Sequence, residues 1–269
     1  MKDFTLTTYR HLLNTLCKAG YKALTFEDYC RMCEQGKEPP FKFVILRHDV
    51  DLKPQNSLQT AKIEAELGLS ASYYFRIVPE SNQPEYIRKI AALGHEIGYH
   101  YEDMAIAHGD TEAAIKHFEQ SLAYFRQFYP VKTICMHGAP TSRYDGRDLW
   151  KKYSYADYDI LGEPYLILDY ARVFYLTDTG RRWDGYKVSL RDKIPVYQDE
   201  WNKRGWTFRT TEQLTNWLSN MPADKLPSMM ITTHPQRWTD NRLAWWKERI
   251  LQNTKNIIKR VLVLCGNVY

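Results

Sequence analysis

Apolar residues along this chain come in two alternating arrangements. Short unbroken runs, such as Phe43-Val44-Ile45-Leu46, have the length of a strand covered on both faces. Between them lie longer stretches in which apolar residues recur every three or four positions, the spacing of an amphipathic helix. The order begins with a strand at Phe43–Leu46, a helix over about 55–67 stopped by Gly68, and a strand at Ala71–Ile77. A helix over 84–93 closed by Gly94 follows, then a strand over 96–101, a helix over 111–129 stopped by Pro130, and a strand over 131–136. Further strands are expected at Tyr165–Leu168, Val173–Leu176 and Met229–Thr233, with helices over 211–220 and 241–259. Strands that alternate with helices predict an α/β fold on a parallel sheet, open or rolled into a barrel. No linker, repeat or low-complexity segment divides the chain, so one domain over 1–269 is expected, with residues 1–40 as an N-terminal helical cap.

Composition narrows the class without choosing a function. The 269 residues are 44% hydrophobic and 26% charged, which excludes a wholly disordered chain. Five cysteines are too few and too odd for a disulfide scaffold, and Cys30-x-x-Cys33 has no second pair at zinc-finger spacing. Lys and Arg number 37 against 32 Asp and Glu, a net +5, but the basic runs are only pairs such as Lys151-Lys152, so no nucleic-acid partner is expected. The N-terminus lacks a basic region followed by an apolar run, and no stretch has the length of a membrane span. The expected address is the cytoplasm. Aromatic residues make up 14%, with 28 Tyr and Trp against 10 Phe, so many rings carry a polar end.

In parallel α/β folds, chemistry collects where strands end. Arg47-His48-Asp49-Val50-Asp51 follows the first strand, Arg76 the second, and His95, Glu96, His100, Glu102 and Asp103 lie in or after the third. His137-Gly138 follows the fourth, and His234-Pro235-Gln236-Arg237 the strand at Met229–Thr233. Four of eight histidines, His48, His100, His137 and His234, thus stand at expected strand ends. In an extended Asp49-Val50-Asp51 both carboxylates face the same way, and such a pair repels unless a cation or proton intervenes. A metal would meet that need, with one carboxylate as ligand and the other free to act on water. His100 and His137 would complete a nitrogen/oxygen site suited to zinc, iron, cobalt or nickel. The competing reading of Asp49 and Asp51 is a pair of loop or helix-capping aspartates. His48 either orients a carboxylate or makes a structural hydrogen bond. His11 and His117 are expected in helices and partly exposed, His95 is expected to be structural, and His108 belongs to a loop.

At these residues the sequence resembles the polysaccharide deacetylases of carbohydrate esterase family four, as a divergent branch. The likeness runs from about Phe43 to Trp238 and rests on an ordered set of short motifs. Arg47-His48-Asp49-Val50-Asp51 is similar to the family's first motif, which implies Asp49 as general base and Asp51 as metal ligand. Leu93-Gly94-His95-Glu96-Ile97-Gly98-Tyr99-His100 is similar to the lead-in of the second, which implies His100 as a ligand. Met136-His137-Gly138-Ala139-Pro140 stands in the place of the third, and Arg182-Trp183-Asp184 loosely in that of the fourth. Thr233-His234 resembles the last, which implies His234 as general acid. The family's second metal histidine falls on Met104, so His137 is taken as the third ligand, with Glu102 and Asp103 as the other candidates, or the metal has been lost.

The resemblance implies a distorted (β/α) barrel and a divalent metal ion, zinc first. It also implies hydrolysis of a non-peptide carbon–nitrogen bond, the N-acyl group of an amino sugar. The substrate expected is a carbohydrate or a nucleotide- or lipid-linked sugar. Trp183, Trp201, Trp206, Trp238 and Tyr144 are proposed to line its groove, and Arg143, Arg147, Arg181 and Arg182 to hold a phosphate. Two alternatives remain: a non-catalytic carbohydrate-binding protein on the same fold, and an amidohydrolase of a small non-sugar amide.

Overall fold

The computed structural model describes residues 2–139, 142–189 and 192–264. The elements run α1 (Leu6–Lys18), β1 (Lys22–Leu24), α2 (Phe26–Glu34), β2 (Phe43–Val50), α3 (Pro54–Glu66), β3 (Ser72–Phe75), α4 (Pro84–Ala92) and β4 (Glu96–Tyr101). They continue with α5 (Asp103–Ile106), α6 (Thr111–Phe125), β5 (Ile134–Met136), α7 (Pro164–Ile167), β6 (Val173–Thr177), α8 (Pro195–Lys203), α9 (Thr211–Asn220), β7 (Ser228–Thr233) and α10 (Arg242–Leu264). All strand pairs are parallel, in the order β5-β4-β3-β2-β7-β6, with β1 beside the first half of β2 and β3 beside the second.

The central strand is longer than its apolar run. β2 continues through Arg47, His48, Asp49 and Val50, and all eight of its residues are buried. Burial of the three polar ones is possible because they pair with one another or with buried partners, although Arg47 Nη1 is left over. Arg47 Nε and Nη2 donate to Asp49 Oδ1 and Oδ2 at 2.8 and 2.6 Å. His48 points to the opposite face, where its ring bonds Thr233 Oγ1 and Glu64 Oε1, each at 2.6 Å. The period-two alternation of a strand thus sends Arg47 and Asp49 one way and His48 the other. On the His48 side, Tyr9 and Tyr73 also donate to Glu64, a buried polar knot that ties α1 and α3 to the sheet.

The sheet is a curled half-barrel of α/β type, and the segment after β5 fills the gap between its two ends. Thr133 pairs with Gly162 in a parallel bridge, and Glu163 Oε1 accepts the Met136 N–H at 3.0 Å. Tyr170 donates to the Pro164 carbonyl at 3.2 Å and packs against Tyr175 of β6. Here the structure corrects one expected strand. Tyr165–Leu168 is not extended; Pro164 starts the single turn α7, because a short apolar run led by proline suits a first helical turn equally well. The N-terminal 40 residues are also not wholly helical, since β1 lies between α1 and α2 and adds to the sheet. α6 ends at Phe125 and β5 starts at Ile134, both inside the expected limits.

Candidate metal and catalytic site

Because every strand runs the same way, their C-terminal ends share one rim, and the polar residues of β2, β4, β5, β6 and β7 meet there. Asp51, His100 and His137 each offer one ligand atom, all within 4.8 Å of one another. Asp51 Oδ1 lies 3.7 Å from His100 Nε2 and 3.6 Å from His137 Nε2. Two ligand atoms about 2.1 Å from a tetrahedral cation stand about 3.4 Å apart, so these spacings suit a shared ion.

Both imidazoles are turned the right way by a second partner. His100 Nδ1 donates to the Cys135 carbonyl at 2.9 Å, and His137 Nδ1 donates to Glu102 Oε2 at 2.8 Å. Each ring therefore presents the lone pair of Nε2 to Asp51, the arrangement that orients metal-binding histidines. Glu102 is held in turn by Arg76, at 2.8 and 2.6 Å. Burial would raise the Glu102 carboxyl, but the His137 bond and Arg76 bring it down to about 2. Burial drives His100 down to about 4 against the pull of Asp49, which keeps the ring neutral and able to bind a cation. Burial also opposes ionisation of Asp51, yet His137, His234, His100 and Arg237 together hold it well below the ordinary carboxylate range.

A second group, Asp49, His100 and Cys135, is also close enough to hold an ion. Its chemistry fits less well. Burial pushes the Cys135 thiol far up, and a protonated thiol is a poor ligand. Both Asp49 oxygens already accept from Arg47, whereas Asp51 Oδ1 is buried with no hydrogen-bond partner among the described residues. Arg47 Nη1 and Gln236 Oε1 are unpartnered as well, and Gln236 Nε2 donates to Asp51 Oδ2 at 3.1 Å. Unsatisfied buried atoms are few in folded proteins, and two of those here, Asp51 Oδ1 and Gln236 Oε1, belong to side chains bonded to each other.

Asp49 and His234 flank this group. Asp49 Oδ2 is 3.7 Å from His100 Nε2, and His234 Nε2 is 3.9 Å from Asp51 Oδ2. His234 is fixed by Asp178, which accepts from its Nδ1 at 2.7 Å and its backbone N–H at 3.0 Å. Arg237 Nη1 at 2.5 Å and Trp238 Nε1 at 2.8 Å complete the carboxylate's shell. Burial and Arg237 push the His234 pKa down, but Asp178 and Asp51 outweigh them and the net shift is upward. Asp178 follows β6 directly, so the rule of reading strand ends points to it, although the apolar run that predicts this strand stops at Leu176.

Other expected residues lie elsewhere. Glu102 is engaged as described, and Asp103 accepts from Tyr99 and His117, so neither faces Asp51. Met104 is buried in the core, and His95 bonds the backbone of Ala61 and Ala71. Trp183, Trp201 and Trp238 are 3%, 4% and 0% exposed and belong to the core, which removes them from any groove wall. Trp206 packs on Phe174 and Trp217, and Tyr144 is half-buried under Arg143. The four arginines do not converge. Arg147 pairs with Asp145 and lines one hollow with Trp150, whereas Arg181 and Arg182 line another. Arg182 is paired with Asp184, and Pro140 lies outside the described residues.

The molecule is thus an α/β protein on a curled parallel sheet, with a candidate metal centre at the C-terminal rim. Among solved structures, the Streptococcus pyogenes deacetylase PplD in complex with acetate is similar at 14% sequence identity and a TM-score of 0.45, over 56% of this chain and 71% of that one. No family model and no curated protein matches the chain. No helix among the described residues is long and apolar enough to cross a membrane.

Proposed function

We propose that this protein is a metal-dependent hydrolase that removes the N-acyl group of an amino sugar, with Asp51, His100 and His137 as ligands, Asp49 as base and His234 as acid. The observation that carries the proposal is the unpartnered Asp51 Oδ1 facing two Nε2 lone pairs, with a carboxylate and an Asp178-bound imidazole beside it. The donor set is two imidazole nitrogens and one carboxylate oxygen, which suits zinc, iron, cobalt or nickel. Such a cation supplies Lewis-acid polarisation of the acyl carbonyl and of water.

The chain's own residues supply the proton transfers. Asp49, held by Arg47, takes a proton from the attacking water as the tetrahedral centre forms. His234 holds its proton on Nε2, because Nδ1–H is committed to Asp178, and Nε2 delivers it to the nitrogen that leaves. Gln236, bonded to Asp51, keeps that carboxylate in place. A sugar is favoured by the hollow of about 630 Å³ lined by Trp150, Tyr153, Tyr155 and Arg147. One wall of that hollow, Arg147, lies over the Tyr165 ring at 5.9 Å, and the Tyr165 hydroxyl accepts from Arg47 at 3.2 Å.

The test combines metal analysis with amine release from a panel of N-acetylated oligosaccharides and small amides. Near-stoichiometric zinc or iron is expected in wild type and is expected to be lost in Asp51→Ala and His137→Ala. Asp49→Ala should keep the metal and lose turnover. Turnover that survives in Asp49→Ala, or protein that stays metal-free after reconstitution, refutes the reading. Oligosaccharide binding without amine release would instead favour a sugar-binding protein.

A further inference from the structure

A second hollow, about 600 Å³, lies between the N-terminal residues, the turn after Gly180, the start of α9 and the face of α10. Its walls carry five basic side chains, Lys2, Arg181, Arg182, Arg209 and Arg249, and one carboxylate, Asp3. That carboxylate keeps its charge but has its oxygens engaged: it accepts from the Phe4 N–H at 2.8 Å and from the Thr211 N–H and hydroxyl at 3.0 and 2.5 Å. Arg182 is likewise committed, to Asp184. Among the described residues, none of the other four bases has an ion-pair partner across the hollow.

Three of those bases converge on one ring. Lys2 Nζ sits 3.8 Å from the centroid of Trp245, and the guanidinium carbons of Arg181 and Arg249 lie 4.9 and 5.1 Å from it. Arg181 is also stacked on Phe4 at 4.8 Å and has a left-handed backbone, φ 57°, a strained conformation for a non-glycine residue. The tryptophan face accommodates each cation through its quadrupole but carries no net charge; Glu248 and Asp3 act on Arg181 and offset part of the mutual repulsion, and the hollow's lining stays net positive. An anion with several charged oxygens offsets that charge, and guanidinium forks match phosphate oxygens in pairs. A lone carboxylate would meet too few of the four unpaired bases.

We propose that this hollow binds a phosphorylated ligand of pyrophosphate type, carried either by a soluble molecule or by a lipid headgroup. It is separate from the rim site and does not rest on the hydrolase reading. The two adjoin, because Arg181 Nη1 donates to the Arg237 carbonyl at 3.4 Å, and Arg237 pairs with Asp178 behind His234.

Calorimetric titration of the full chain with inorganic pyrophosphate tests the proposal. Salt-sensitive binding is expected. The double variant Arg209→Gln/Arg249→Gln, with both changes at exposed positions, should weaken it by at least about tenfold. Lys151→Gln, at an exposed lysine of the other hollow, should leave it unchanged. Vesicles bearing a lipid with a diphosphate headgroup give the second arm. Vesicle binding that pyrophosphate displaces and the double variant loses assigns the headgroup as the source, whereas pyrophosphate binding alone assigns a soluble ligand. No heat at millimolar pyrophosphate overturns the proposal. So does pyrophosphate binding of equal strength in the double variant, or vesicle binding as the sole signal that survives both the variant and the competitor.

Discussion

Glu96 opens β4, four residues before His100, and its carboxylate joins three neighbouring elements. Oε2 accepts from Ser72 Oγ of β3 at 2.5 Å and from the Glu27 N–H of α2 at 3.0 Å, while Oε1 accepts from Thr133 Oγ1 beside β5. Burial outweighs these three donors and raises the carboxyl from 4.5 to about 7. An acid whose folded pKa is raised keeps its proton in the native state after the unfolded chain has lost it. Its contribution is therefore whole below about pH 4.5 and is lost as pH rises through about 7. A rise of about 2.5 pKa units, from 4.5 to about 7, corresponds to about 3 kcal/mol. Glu96→Gln keeps the shape and removes the titration. Urea unfolding of both proteins should show the variant gaining about 3 kcal/mol on wild type between about pH 5 and pH 8. A difference that stays flat across that range would refute the assignment of this carboxyl as a buried neutral acid.

Three further variants have expected outcomes. Asp178→Asn should leave the metal in place yet lower turnover by about 10²- to 10⁴-fold, since it removes the charge that orients and protonates His234. The same change leaves Arg237 buried beside a neutral group and should cost about 3–5 kcal/mol by chemical denaturation. Gly98→Ala places a Cβ 2.3 Å from the Tyr74 ring and 2.9 Å from the Thr133 carbonyl, so a loss of at least about 2 kcal/mol and a weakened metal site at His100 are expected from thermal melts and metal analysis. Cys135→Ala should keep full metal content, because the thiol is outside the proposed ligand set; loss of metal would transfer the site to the Asp49, His100 and Cys135 group.

The rim residues were legible for a simple reason. Apolar runs of strand length are bounded by polar residues, and a parallel sheet brings successive strand ends to one side, so Asp51, His100, His137 and His234 could be gathered without coordinates. The helix stops were equally plain. Gly68 and Gly94 stand at φ 69° and 88°, conformations that glycine adopts without strain. The short turn α7 was misread because four apolar residues carry no period that separates strand from helix. The tryptophans were misplaced for a related reason, as composition counts rings and says nothing of which way they face.

What the sequence determined by itself is the α/β alternation, the places where strands stop, and the residue types that stand there. Tertiary structure alone decided which of those residues face each other. It decided which face of β2 lies toward the rim site, chose Glu102 to orient His137 rather than join it, and set Asp178 behind His234. It also divided the arginines between two hollows. Each of these depends on long-range pairing of buried charges, which is fixed by packing across the sheet and leaves no local period in the chain.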